Sequence, residues 1–83
     1  MKWLCTLAAR TLVIACDGTV TAIEARSFAA QRMGDVPEIE RVDEEALEDV
    51  WLRWTGSDYS HGGGPGRRRL QVREKGSSQW KDV

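Results

Sequence analysis

The sequence predicts an α+β domain, a small and mainly antiparallel sheet with one principal helix packed on it. Three observations carry that expectation. Short apolar or β-branched runs recur at 2–8, 11–16, 38–42, 50–55 and 68–74, each the length of a single strand. Only residues 21–33 combine helical spacing with both a start and a stop signal. Glycine, proline, serine and aspartate cluster between these runs, where turns belong.

Residues 2–8 and 11–16 read as a hairpin. A turn centred between Arg10 and Thr11 would set Cys5 opposite Cys16 and Leu7 opposite Ile14. Side chains alternate along a strand, so Trp3, Cys5, Leu7, Leu12, Ile14 and Cys16 then share one face. Asp17-Gly18 ends the second strand. The helix opens on Thr21-Ala-Ile-Glu24, a capping box in which the threonine hydroxyl accepts a backbone N–H and Glu24 reaches back to the cap. Val20 and Ala25 supply the accompanying apolar staple. Ala22, Ala25, Ala29 and Met33 form one stripe with Phe28 at its edge, and Gly34 is placed to end the helix in a left-handed conformation.

Asp35-Val36-Pro37 is a connector to a third strand at residues 38–42. Residues 43–49 read as one helical turn capped by Asp43, with acids favourably placed at its start. In the strand at residues 50–55, Val50, Leu52 and Trp54 face one way and Trp51, Arg53 and Thr55 the other. A long loop, 56–66, leads to a strand at 68–74 with Leu70 and Val72 inward. A turn at 75–78 precedes a closing strand at 79–83. The chain thus divides into a strand–strand–helix–strand half (1–42), an acidic connector (43–49) and a sheet half with a glycine-rich loop (50–83), all within a single domain.

Size and composition narrow the function. A chain of 83 residues has a single small core. Tryptophan therefore matters: of Trp3, Trp51, Trp54 and Trp80, two or three are expected in the core and one at a surface. The net charge of −1 argues against a dedicated nucleic-acid binder. It is unevenly spread, with eight acidic groups against one basic in residues 35–50, and seven basic against three acidic in residues 51–83. Such polarity can steer one charged partner. Two cysteines and one histidine are too few for a tetrahedral zinc site, so no metal is expected. Cys5 and Cys16, as inward neighbours in a reducing cytoplasm, are expected to be free thiols. No apolar run reaches the roughly 18 residues a membrane-spanning helix needs. The N-terminal residues up to Cys16 resemble a bacterial lipoprotein signal, but Arg10 interrupts the apolar region that such a signal requires.

The sharpest functional signal is His61-Gly62-Gly63-Gly64-Pro65-Gly66-Arg67-Arg68-Arg69, a glycine-rich loop opening onto three arginines. Guanidiniums at the end of a loop suit phosphate, carboxylate or an acidic protein surface. The glycines fit neither the phosphate-binding loop nor the dinucleotide fingerprint, both of which open a helix. Ser60, His61 and Asp58 are too close in sequence to converge as a catalytic triad from a rigid scaffold. No enzymatic activity and no cofactor are expected. Trp51 and Arg53 share a strand face and can meet Arg69, Gln71 and Arg73 across a strand pair, and tryptophan with arginine is enriched at binding hot spots. The candidate partner-binding residues are therefore Arg67, Arg68, Arg69, Trp51 and Arg53.

The strand–strand–helix–strand beginning, with the later Leu70-Gln71-Val72-Arg73 and Trp80-Lys81-Asp82-Val83, resembles small uncharacterised proteins of bacteriophages and prophages. That resemblance implies a virion component or a protein that interferes with a host factor, in a virion or the bacterial cytoplasm. It carries no site residues. The expected function is binding to a protein partner with an acidic or phosphate-bearing surface. The alternatives are a nucleic-acid-binding module using Arg67–Arg69, with phosphates neutralised and bases stacked, and a lipid-anchored envelope protein.

Overall fold

A computed structural model describes residues 1–56 and 68–83. The elements follow the order β1 (Lys2–Leu7), β2 (Arg10–Cys16), α1 (Ala22–Met33), β3 (Glu38–Val42), β4 (Val50–Thr55), β5 (Arg69–Glu74) and β6 (Lys81–Asp82). The six strands make one sheet in the order β3-β1-β2-β4-β5-β6. Every neighbouring pair is antiparallel except β2 and β4, which run parallel through Ile14↔Val50, Ala15↔Trp51 and Cys16↔Leu52. The α+β class follows: one helix, and a mainly antiparallel sheet.

The helix is built as its sequence requires. Thr21 Oγ1 accepts from the Glu24 N–H at 3.2 Å, and Glu24 Oε1 accepts from the Thr21 N–H at 2.9 Å. Gly34 closes it at φ 89°, donating its N–H to the Ala30 carbonyl. Ala25, Phe28, Ala29 and Met33 are buried against the sheet. Small alanines allow the helix to approach closely, over a core made by Cys5, Leu12, Ile14, Cys16, Val20, Val50, Leu52 and Val72. Trp3, Leu7, Ile39, Trp54 and Leu70 pack around its margin. Polar groups bind the two layers as well: Trp54 Nε1–H donates to Glu24 Oε2 at 2.9 Å, and Arg32 forms a two-point ion pair with Glu74 at 2.7 and 2.8 Å.

Two expectations need correction. The hairpin turns at Ala8-Ala9, so Cys5 pairs with Leu12 and Leu7 with Arg10. Cys16 instead exchanges backbone hydrogen bonds with Met1, and the two cysteines are not cross-strand neighbours. The tight turn allows all of residues 2–7 to pair with residues 10–15, which a turn two residues later would not. The partner of each residue moves by four positions, an even step, so the six apolar side chains stay on one face. Ala8 sits at φ 54°, a conformation normally left to glycine, which is why no turn signal marks it.

Residues 43–49 form no helical turn. One β-turn is present, with the Ala46 N–H donating to the Asp43 carbonyl at 3.0 Å. The reason is Lys2. Its ammonium donates to the carbonyls of Glu44 and Ala46 and to the Glu48 carboxylate, the last two at 2.7 Å. Carbonyls that a helix would turn towards later amides are instead gathered on one cation.

Candidate functional site

Alternation sends half of every strand's side chains away from α1. This second face, open on the side opposite the helix, carries Lys2, Leu4 and Thr6 of β1, Thr11, Val13 and Ala15 of β2, and Glu38, Glu40 and Val42 of β3. From β4 and β5 it receives Trp51, Arg53, Thr55, Arg69, Gln71 and Arg73. Acidic groups therefore lie towards β3, and guanidiniums lie on β4 and β5.

The β4–β5 register creates the densest cluster. Trp51 stands opposite Arg73, and Arg53 opposite Gln71. The Arg73 guanidinium lies 4.0 Å from the Trp51 ring centre and 5.7 Å from that of Trp80. Arg53 lies 4.0 Å from the Trp80 ring centre. Cations and indole faces thus alternate across the surface, an arrangement favoured by the ring quadrupole. Arg53 is further held by Gln71, whose Oε1 accepts from Nε at 3.2 Å and Nη2 at 3.1 Å, and Arg73 donates to the Ser77 carbonyl at 2.9 Å. These restraints fix the guanidiniums in advance, which lowers the entropy a partner's arrival would remove.

Beside the stack is a hollow of about 420 Å³, lined by Lys2, Ala15, Glu44, Trp51, Arg53 and Trp80, among others. Its floor has a simple cause. Lys2, Ala15, Trp51 and Arg73 form one row across β1, β2, β4 and β5, and the single methyl of Ala15 lies between two long side chains. Glu44 lines the hollow as well, on the segment whose carbonyls Lys2 holds. At one end is Asp17, whose carboxyl is held below its usual range, chiefly by the Thr19 hydroxyl.

The expected site residues are only partly gathered. Trp51 and Arg53 share the open face as anticipated. Arg69 lies on that face too, but opposite Thr55, at the far end of the strand pair from Trp51. It approaches Asp82 at 3.5 Å and stays largely exposed. Arg68 stacks 4.7 Å from the ring centre of Trp54, a residue of the helix-covered face. Arg67 and the glycine-rich loop with His61 lie outside the described residues. Arg68 and Arg69 thus project to opposite faces of the sheet, as successive residues of an extended chain do. Arg73 and Trp80 were not among the expected site residues. Arg73 was legible from the alternation Arg69, Gln71, Arg73, while Trp80 reaches the face only because the turn after β5 brings β6 back beside it.

Of the four tryptophans, Trp3 and Trp54 sit at the core margin and Trp51 and Trp80 on the open face; none is fully enclosed. Both cysteines are buried free thiols, and burial raises the Cys16 thiol to about 11 and the Cys5 thiol in the same direction. A protonated thiol is a poor nucleophile and a poor metal ligand. Among the described residues, no three His, Cys, Asp or Glu side chains are placed to hold a metal ion, and no helix is long and apolar enough to cross a membrane. Compared with models of known families, with characterised proteins and with solved structures, the chain matches none of them.

Proposed function

We propose that the chain is a non-enzymatic protein-binding domain whose working surface is the open face of the sheet, centred on Trp51, Arg53, Arg73 and Trp80. The observation that carries this reading is the alternating Trp–Arg stack on a face that no helix covers among the described residues. Such a surface offers broad apolar area and pre-positioned donors, the combination found at protein-binding hot spots. The guanidiniums select a carboxylate-rich patch on the partner. The acidic residues 43–49 on the same side of the molecule disfavour a long polyanion such as single-stranded nucleic acid, whose phosphates would have to run past them.

A titration with a short oligoglutamate, fluorescein-labelled triglutamate, which can sit on the guanidiniums without running past residues 43–49, tests the reading when followed by anisotropy. The full chain should bind it, and the Arg53→Gln/Arg73→Gln double variant should lose that binding while keeping its circular dichroism spectrum. Absence of binding, or binding unchanged in the double variant, overturns the reading. Preference for a labelled single-stranded oligonucleotide over oligoglutamate, falling steeply with salt, would replace it with the nucleic-acid alternative.

A further inference from the structure

We propose that the acidic patch received by the open face belongs to a second copy of this chain, so that the protein forms a two-fold dimer. This rests on the binding reading above and names its partner. The open face is not uniformly basic. It carries guanidiniums on β4 and β5, and, beside them, a ridge at residues 43–48 with Asp43, Glu44, Glu45 and Glu48. A uniformly acidic partner would meet attraction on one side and repulsion on the other. A partner with the same two regions, turned through a two-fold axis running along their boundary, meets attraction on both.

Shape agrees with charge. Leu47, within the ridge segment, is 77% exposed, a large apolar side chain between Glu45 and Glu48 in sequence. The adjoining hollow is lined by Ala15, Trp51, Arg53 and Trp80, and by Glu44 of the ridge itself. A knob and a hole thus lie side by side on one molecule. In a two-fold pair, each copy's Leu47 enters the other's hollow, and its flanking carboxylates reach Arg53 and Arg73. The ridge is also rigid in advance. Lys2 binds the carbonyls of Glu44 and Ala46 and the Glu48 carboxylate, so Leu47 is presented without further ordering.

Sedimentation equilibrium of the full chain is the test. The wild type should sediment as a dimer whose dissociation constant rises with sodium chloride. Leu47→Ser should weaken association at least about tenfold, the scale of a central apolar anchor. Leu47 is largely exposed, so the variant's circular dichroism and melting should be unchanged. Arg69→Glu, on the exposed rim, should weaken association by a smaller factor. A wild type that stays monomeric into the millimolar range, or a Leu47→Ser variant that dimerises as well as the parent, overturns the proposal. If that monomer still binds oligoglutamate, the binding reading survives without this partner; if it does not, both fall.

Discussion

The two faces of the sheet use the same residue types to different ends. Under α1, Trp54 sends its indole N–H to Glu24 and Arg32 meets Glu74, so tryptophan and arginine hold two layers together. On the open face Trp51, Trp80, Arg53 and Arg73 stack on one another within a single layer. The covered face is filled by aliphatic side chains, cysteines and alanines, whose burial is non-directional. The open face has no described helix to pack against and keeps its shape through directed contacts. One face therefore carries most of the stability, and the other is free to carry specificity.

The largest effect should come from neighbours on β2 that point to opposite faces. Ile14, fully buried under the helix, should cost about 2–5 kcal/mol as Ile14→Ala. Val13→Ala, on the open face, should cost about 1 kcal/mol or less, given roughly 0.8 kcal/mol per buried methylene. Urea unfolding of the two variants measures the contrast directly, and equal losses would break it. The capping box comes next. Thr21→Ala removes the acceptor of the Glu24 N–H and should cost about 0.5–2 kcal/mol.

The tryptophans sharpen the comparison within the covered face. Trp54→Phe should cost about 1 kcal/mol more than Trp3→Phe. The former loses the bond to Glu24, whereas the buried Trp3 Nε1–H has no hydrogen-bond partner among the described residues. In the opposite direction, Ala8→Gly should stabilise by up to about 1 kcal/mol, because glycine occupies φ 54° without the Cβ clash. A destabilised Ala8→Gly would mean that the turn is not strained.

The smallest effect is the pH dependence of the tie between layers. Hydrogen bonding and charge from Arg32 hold the Glu74 carboxyl below its ordinary value of 4.5, and the Thr21 N–H, first among several donors, does the same for Glu24. Both carboxylates are more acidic folded than unfolded. Their contribution is thus complete above about pH 4.5, declines as the pH falls below that value and is lost beneath the folded pKa. The groups are partly exposed, so the loss should be about 1 kcal/mol or less for Glu74. The melting temperatures of the parent and a Glu74→Gln variant should differ at pH 7 and converge at pH 3.

What was legible in the sequence was whatever is encoded locally. Thr21, Glu24 and Gly34 announce the helix because each satisfies backbone groups within four residues of itself. Face assignments followed from alternation, which survives an even slip in register, and so the inward set of β1 and β2 was right while the pairing was not. The remainder depended on distant partners. Nothing near Asp43 indicates that Lys2, some forty positions earlier, will claim the carbonyls of its connector. Arg67, Arg68 and Arg69 look like one patch as letters, yet a strand sends Arg68 and Arg69 to different sides. Trp80 becomes part of the open face only through the return of β6.

The parallel pairing of β2 with β4 has a kinetic consequence. Of the other ladders, β1–β2, β4–β5 and β5–β6 join successive strands, and β1–β3, though its partners are just as distant in sequence, is secured by five residue pairs. The β2–β4 ladder spans just three residue pairs and closes a loop of roughly 35 residues, whose entropy must be given up before any contact rewards it. The hairpin, α1 and β3 can associate without it, and so can β4 with β5. Folding should therefore proceed as two subassemblies that dock at a late, rate-limiting step. Destabilising Val50 or Leu52 at that seam should accelerate unfolding more than it slows folding.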